Sequence, residues 1–483
     1  MKKAEAIIKQ YEEALSVKDH WREKFEEAYE YCLPNRESFY EESPGQRRTD
    51  KIFDETAVVG VQEFASRLQA GIVPTFARWA DFQAGVEIPE DQKPQVNLEL
   101  DQITDYVFEV IQSSNFNQEI HECFMDLAVG TGCMLVEEGD AVNPIKFTSV
   151  PLPKVCLMNG PDGKVDTIYR TRKVKPEHIM ILYPEAVYKV YEQNVEKYKF
   201  CVVLKEMKEI IFEEIYKGEG SNPYLVFRWN KASGEVYGRG PIFNAIGAIK
   251  TCNLTIELIL QNAQMSVSGV YTYEDDGVIN PDNIALVPGS LIPVAPGSRG
   301  LNPISAASNF DVAQLVLQDM RQNIKKALYM ETLGRPEGTP MTATEVAERM
   351  ADLSRQIGSS FGRLQSELIH PLLKRIIRIL SAQGRIELPK VNGREVKVAA
   401  RSPLAKAQHL QDVADVNRFN EILAGTFGPQ MINIIMNQNE VAKYIAGKMN
   451  LPEKLIRDQE EQQQIVQQIS QLNQSAGEGE IPQ

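Results

Sequence analysis

The chain is short of the residues on which catalysis and metal binding draw. It has 5 histidines in 483 residues (His20, His121, His178, His370 and His409), and they are dispersed. Its six cysteines, Cys32, Cys123, Cys133, Cys156, Cys201 and Cys252, contain no CxxC pair. That spacing excludes the common zinc and redox motifs and reads as reduced, mostly buried thiols of an intracellular protein. No GxxxxGK[ST] occurs, which excludes a P-loop nucleotide motor, and no GxSxG marks a nucleophile elbow. No apolar run approaches the roughly 18 residues of a membrane span. The opening MKKAEAIIKQYEEAL is charged and amphipathic, unlike a signal peptide. The expectation is a soluble protein made in a reducing compartment. Cations are also outnumbered: 52 Lys and Arg face 66 Asp and Glu, a net charge of −14. Tight nucleic-acid binding rests on Lys and Arg neutralising phosphates, so this balance suits a surface that must not adhere to DNA.

The near-misses for chemistry fail on inspection. His121-Glu122 opens like a zinc HExxH, but the closing position is Met125. Gly130-Thr131-Gly132 precedes a strand instead of following one and opening a helix, the wrong context for a dinucleotide loop. Gly358, Ser359, Ser360 and Gly362 read as close-packing positions within a helix. Asp275-Asp276 lies in a turn, where paired acids are ordinarily solvated. No catalytic residue, metal ligand or cofactor is assigned.

The hydrophobic pattern gives an α+β chain, mainly helical. Residues 1–31, Glu55–Gly71, the segment VNLELDQITDYVFEVIQSSNF and Gln118–Val129 carry helical stripes. Gly130-Thr131-Gly132 is followed by a strand, CMLVEE (Cys133–Glu138), and from Pro144 to Trp229 the period changes to two, with strands at KFTSV, KVCLM, KVDTIYRTRKV, KFCVVLKEM, EIIFEEIYK and PYLVFRWN. Asp162-Gly163 supplies hairpin chemistry between two of them. Residues 176–194 read as a helix interrupted near Pro184. Pro241 can open a helix, Ile242–Met265. Residues 267–308 are dense in Gly and Pro, with β-type runs at Val270–Tyr273, Ile284–Val287 and Leu291–Val294. Two further helices follow, Phe310–Glu331 and Ala343–Ala382. The second runs 40 residues, roughly 60 Å. Thr342 and Glu345 form its capping box, with Met341 able to staple onto Val346. Between the two lies Thr332–Thr342, broken by Gly334, Pro336, Gly338 and Pro340. A strand pair, RIELPK and REVKV, precedes a helical region over Pro403–Met449 interrupted at Gly425–Pro429. A Gln-rich helix is expected over 451–474.

This order of parts resembles the phage portal proteins, the head-to-tail connecting proteins of short-tailed phages. The likeness is carried by FDETAVVGVQEFASRLQAGIVPTFARWADF (53–82), SNFNQEIHECFMDLAVGTGCMLVEE (114–138), FRWNKASGEVYGRGP (227–241), and LGRPEGTPMTATEVAERM with GRLQSELIHPLLKRIIRIL (within 333–380). The resemblance implies a portal-type fold: a wing over 1–241, stem helices over 242–266 and 309–331 and a clip over 267–308. A tunnel loop would span 332–341, a long kinked helix with a strand pair 342–400, a crown 401–450, and a barrel helix or tail 451–483.

It further implies a non-enzymatic ring, usually of twelve subunits, at one capsid vertex in the virion, made in the host cytoplasm. Double-stranded DNA would pass through it without sequence specificity during packaging and ejection. Its partners would be terminase, tail adaptor and nozzle proteins, and major capsid and scaffolding proteins, with no membrane. Gly334, Arg335, Pro336, Glu337 and Gly338 would face DNA from the tunnel loop. Arg321, Lys325 and Lys326 are candidates for the channel lining. Val270, Tyr271, Tyr273 and Leu291 would make clip contacts, and Pro371 would bend the long helix. The competing readings are a nucleic-acid-processing enzyme with a dispersed site and a non-ring α+β scaffold or adaptor.

Overall fold

A computed structural model describes residues 3–40, 49–75, 78–82, 93–171, 186–192, 195–205, 207–218, 220–268, 271–272, 302–303, 310–330, 357–387, 389, 398–399, 403–427 and 436–449. The fold is mainly helical with small antiparallel sheets. In chain order its elements are α1 (Lys3–Cys32), α2 (Thr56–Ile72), β1 (Asp81–Phe82), α3 (Lys93–Ser113), α4 (Phe116–Val129), β2 (Thr131–Glu138), β3 (Ile145–Ser149), β4 (Val155–Asn159), β5 (Val165–Arg170), β6 (Ala186–Glu192), β7 (Val195–Leu204), β8 (Glu209–Lys217) and β9 (Tyr224–Arg228). Then come α5 (Pro241–Ser268), β10 (Tyr271–Thr272), β11 (Asn302–Pro303), α6 (Phe310–Ala327), α7 (357–364), a π turn (Gln365–Ile369), α8 (His370–Ala382), β12 (Val398–Ala399), α9 (Pro403–Phe427) and α10 (Gln438–Met449).

The chain divides into two compact units. One comprises Met1–Glu23, Gln62–Gly240 and Glu331–Gln483; the other comprises Lys24–Val61 and Pro241–Met330. Helices α1 and α2 each contribute residues to both.

Among the described residues the first unit is built mainly on two sheets, with β1 and β12 as a further two-stranded pair. In the three-stranded sheet, β2 lies between β3 and β9, and its residues 131–136 are all buried. Helix α4 packs on that sheet through Phe116 and Phe124, whose rings sit 5.1 Å from Phe147 and 6.3 Å from Phe227. Asn115 and Glu119 lock the same helix to β3: the Phe147 N–H donates to Asn115 Oδ1 at 3.1 Å and the Ser149 N–H to Glu119 Oε2 at 2.6 Å. The five-stranded sheet is an antiparallel meander, β4-β5-β6-β7-β8. Its β4–β5 turn is the Asp162-Gly163 hairpin, with Gly163 at φ 73°, where a side chain would be strained. The apolar stripe of α1 covers this sheet, Ile7 and Ala14 packing with Cys156, Tyr169 and Cys201.

Three expectations are corrected. Residues 186–192, read as helix, form β6, paired with β5 on one side and β7 on the other. The run AVYKVYE satisfies a 3–4 spacing as well as a 2 spacing, and its β-branched and aromatic residues settle in the sheet because strands on both sides receive them; residues 176–185 lie outside the described residues. Of the strand pair expected at RIELPK and REVKV, 385–387 is not a strand, and Val398, the end of the second run, pairs antiparallel with β1, about 300 positions earlier; residues 394–397 lie outside the described residues. Pro389 removes a ladder donor from the first segment, and the true partner is invisible to local pattern. Of the interruption expected at Gly425–Pro429, residues 425–427 are still helix, since α9 runs through Gly425 to Phe427; residues 428 and 429 lie outside the described residues.

In the second unit, α5 opens at Pro241 as its missing N–H allows, and it packs against α6. The pair is antiparallel. β10 and β11, which extend the two helices at one end, pair Tyr271 with Pro303, and further along Cys252 on α5 shares a level with Arg321 on α6. Of the β-type runs expected in 267–308, Ile284–Val287 and Leu291–Val294 lie outside the described residues.

Candidate functional site

Two of the stretches that carry the resemblance meet in the first unit, and their glycines explain why. Gly130 and Gly238 cross so closely that a Cβ on either would lie 2.1 Å from the other's carbonyl oxygen, and a Cβ on Gly240 would lie 2.0 Å from the Ala128 carbonyl oxygen. Gly130 also holds φ 150°. The crossing is stitched by backbone bonds: Trp229 N–H to Gly130 O at 2.9 Å, Gly240 N–H to Val129 O at 2.9 Å and Arg239 N–H to Asn230 O at 2.7 Å. Gly238 N–H donates to Thr131 Oγ1 at 2.8 Å. Gly130-Thr131-Gly132 is therefore a backbone seat for Tyr237–Gly240. Tyr237 is fully buried and its hydroxyl accepts from the Leu157 N–H at 3.2 Å; burial pushes its pKa well up. Arg239 lies over the Trp21 ring at 5.1 Å and pairs with Glu235.

Beside this crossing sits a buried ion pair that sequence reasoning missed. Arg228 is 2% exposed. Its Nη2 donates to Glu367 Oε1 at 2.6 Å and its Nε to Glu367 Oε2 at 3.2 Å, while its own backbone N–H donates to Oε2 at 3.0 Å. The remaining Nη1 reaches Val236 O at 3.1 Å. One carboxylate thus takes three donors from one residue, which lets the pair tolerate burial.

Glu367 stands in the π turn, where the His370 N–H donates to Gln365 O, five residues back. Pro371 follows at the second position of α8 and has no N–H to give to the Glu367 carbonyl, so the α pattern fails at that point. Nearby, Ser360 is buried and donates to Asn230 Oδ1 at 3.2 Å. Gly358 and Gly362, expected as close-packing positions, have nothing within 4 Å of a built Cβ. The buried serine makes the contact instead.

In the second unit the helix pair is braced at Asp54. Arg321 Nε donates to Asp54 Oδ2 at 2.7 Å, and Cys252 Sγ lies 3.7 Å from the same oxygen. The Thr56 N–H donates to Asp54 Oδ1 at 2.8 Å, so Asp54 also caps α2. Asn253 Oδ1 accepts from the N–H groups of Phe53 and Asp54 at 2.8 and 3.0 Å. Burial by itself would raise the Asp54 carboxyl; hydrogen bonds from Thr56 and Arg321 outweigh it and hold the group below its ordinary range. Burial, with Asp54 alongside, pushes the Cys252 thiol up to about 11. Arg321 is thus tied within its own chain.

Lys325 and Lys326 are exposed. At about 100° per residue, Lys325 stands about 40° round from Arg321 and Lys326 a further 100°. Helix α6 then ends in a Schellman arrangement: Met330 N–H to Lys325 O at 2.8 Å and Tyr329 N–H to Lys326 O at 3.2 Å, with Tyr329 at φ 58° where glycine is usual. Leu328 and Met330 are seated on α2 at Gly60, where a Cβ would lie 2.6 Å from Leu328 Cδ1.

Residues 334–338, expected to face DNA, lie outside the described residues, as do Val270, Tyr273 and Leu291. Tyr271 is described through its backbone, in β10. Asp54, Asn253, Arg228 and Glu367 were not singled out from sequence. Asp54 had a local signal, an acid two residues before the start of a helix. Arg228 and Glu367 had only their isolation as charges within the apolar runs YLVFRWN and LQSELIHPLL.

Residues 4–187 and 179–456 match the family described as bacteriophage head to tail connecting protein. The chain is 22% identical to a probable portal protein of Bordetella phage BPP-1, covering 97% of this chain and 93% of that protein. It is 20% identical to the portal protein of Escherichia phage T7, over 88% of this chain and 83% of that one. A chain in the virion of a native gene transfer agent particle matches at 13% identity and a TM-score of 0.36, over 77% of this chain and 90% of that chain.

Proposed function

The chain belongs to the bacteriophage head-to-tail connecting protein family, and from that premise we propose that it acts as a portal: a ring, of twelve subunits, that conducts double-stranded DNA through one capsid vertex. The observation that carries the reading is the span of the family match, which runs from residue 4 to residue 456. The ring serves packaging and ejection, docks terminase first and tail adaptor and nozzle proteins afterwards, and sits among capsid and scaffolding proteins. The role is structural.

Within that reading, α5 and α6 are the stem, the wall of the channel. Residues 334–338 lean towards DNA from the end of α6, with Arg335 as the cation. The Schellman end with Tyr329, and the seat on Gly60, support a chain that leaves α6 in a fixed direction. Lys325 and Lys326 add phosphate contacts beside that exit, whereas Arg321 braces the stem through Asp54. Val270, Tyr271, Tyr273 and Leu291 belong to the clip, and Pro371 with its π turn bends the long helix.

Negative-stain electron microscopy of the purified protein tests the reading: rings with a central hole are expected. Particles that remain about 54 kDa by native mass spectrometry at high concentration, with scaffolding protein supplied, would sink it, as would ATPase or nuclease activity from the chain alone. Deleting residues 334–338 should leave rings intact and lower the packaged DNA per capsid. Unchanged packaging would remove the loop from the reading and leave the ring.

A further inference from the structure

The three-stranded and five-stranded sheets of the first unit have four edge strands, β3, β9, β4 and β8. Side chains close three of them. At β3, Asn115 accepts from the Phe147 N–H at 3.1 Å and donates to the Phe147 carbonyl at 2.8 Å, and Glu119 accepts from the Ser149 N–H. At β4, the Tyr237 hydroxyl accepts from the Leu157 N–H. At β9, Glu367 accepts from the Arg228 N–H. The outer edge of β8 is open by contrast. Among the described residues, the main chain of 210, 211 and 213–216 bonds only to β7. A side chain reaches the strand only at its last residue, where Arg378 donates to the Lys217 carbonyl at 3.4 Å. Such a row of N–H and C=O groups is a template for another strand.

The side chains along that edge are apolar and acidic. Ile211 is 43% and Ile215 53% exposed, and Met207, in the turn that leads into β8, is 72% exposed. Glu213 and Ile215 stand opposite Cys201 and Lys199, on the face where α1 packs. There Lys199 pairs with Glu213, and Lys3 of α1 approaches the same carboxylate at 3.8 Å. Glu214 points to the other face, where the Tyr216 hydroxyl donates to it at 2.9 Å. In all, EIIFEEIYK carries Glu209, Glu213 and Glu214 against one cation, Lys217.

We propose that β8 is a docking edge for a strand of a different protein, an extended segment that carries Lys or Arg among apolar residues. Two copies of β8 do not suit each other. The antiparallel register that sets Ile211 against Ile215 sets Glu213 against Glu213, and the one that sets Ile211 against Ile211 sets Glu209 against Glu213. Like charges directly opposite are destabilising. The carboxylates that keep a second copy away therefore favour a basic strand, which is selectivity by charge. Main-chain bonds supply the attachment, and the exposed isoleucines supply the apolar contact. The proposal is independent of ring closure, which concerns copies of this chain.

The probe is a fluorescein-labelled peptide, Thr-Val-Lys-Thr-Val-Val-Thr-Lys, laid antiparallel so that its lysines fall by Glu214 and Glu209 and its valines by Ile215 and Ile211. Fluorescence anisotropy with the full chain should show binding, and replacing both peptide lysines by glutamate should weaken it about tenfold. Methylating alternate peptide amides separates strand addition from adhesion: one alternate set should abolish binding and the other should spare it. Hydrogen exchange of the wild-type chain should slow over residues 210–216 when the peptide is bound. Ile211→Lys with Ile215→Lys should lose the peptide while keeping the wild-type circular dichroism spectrum and the rings. Absence of binding, equal tolerance of both methylated sets, or unchanged exchange at β8 would overturn the proposal. So would a contact between copies that the double variant removes, since β8 would then serve this chain itself. Peptide binding by a wild-type chain that forms no rings would support this edge and overturn the ring reading.

Discussion

At the scale of single residues, the polar groups buried in this fold have unequal claims to their places. Lys18 is 5% exposed and donates to the carbonyl oxygens of Leu152 and Pro153 at 2.9 and 2.6 Å. Burial strips water from its ammonium and pulls its pKa down to about 8. The unfolded lysine holds its proton to about 10.4. Between about pH 8 and 10.4 the unfolded chain therefore binds more protons at this position, and stability rises with pH there. The full contribution is on the order of 3 kcal/mol, present above the upper limit and lost as pH falls through about 8. Buried thiols act in the opposite sense: Cys32, pushed up to about 12 by burial, withdraws stability as pH rises past the ordinary thiol range. The difference between wild type and Lys18→Met isolates the lysine. Urea midpoints at pH 7.5 and 9.5 should show the wild type gaining on the variant at the higher pH. Parallel shifts in the two proteins would show that Lys18 does not carry a depressed pKa.

At the scale of elements, the crossing at Gly130, Gly238 and Gly240 is the least forgiving place in the first unit. The atoms that an added Cβ would strike are backbone carbonyls, which cannot rotate away. Gly238→Ala and Gly240→Ala should each cost more than about 3 kcal/mol, read as a loss of soluble protein or a large fall in melting temperature. Gly358→Ala, in open space within a helix, should instead stabilise by about 0.5–1 kcal/mol. Glu367→Gln leaves Arg228 charged and buried without its counter-ion and should cost about 3–5 kcal/mol; a cost below about 1 kcal/mol would show that the pair is not what fixes the π turn against β9.

The same elements show what the sequence could and could not reveal. The helices, the Asp162-Gly163 hairpin and the Pro241 start were legible because their causes are local: periodicity, turn chemistry, a missing N–H. Both glycine motifs stood out singly, but their contact joins residues about 110 positions apart. Arg228 and Glu367 lie 139 residues apart, and nothing in either run names the other. β6 was misread because a seven-residue run cannot distinguish its two periods until partner strands choose. The Asp54 brace was half legible: the cap could be seen, but the arginine that neutralises it could not.

At the scale of the whole molecule, the acidic balance and the placed cations make one argument. A conduit must let DNA slide, so its walls should bind phosphate weakly and at few points. A net charge of −14 per chain supplies the general repulsion, and Lys325 and Lys326 supply two adjacent exposed cations at the end of α6, next to the proposed loop. Their removal should be nearly silent for the fold, since exposed substitutions fall within about 0.5 kcal/mol. It should not be silent for DNA. Each phosphate contact released lowers the slope of log K against log salt by about 0.9. Assembled Lys325→Ala/Lys326→Ala rings, titrated with labelled duplex DNA by fluorescence anisotropy at several salt concentrations, should show a shallower slope and weaker binding than wild type at low salt. Lys9→Ala, which removes an exposed lysine from α1, should keep the wild-type slope. If the Lys9 variant lost as much binding as the double variant, the attraction would be a property of overall charge and the placement of cations at the end of the stem would have no role. If neither lost any, the contacts with DNA would have to come from elsewhere in the channel, and Arg335 would be the next residue to replace.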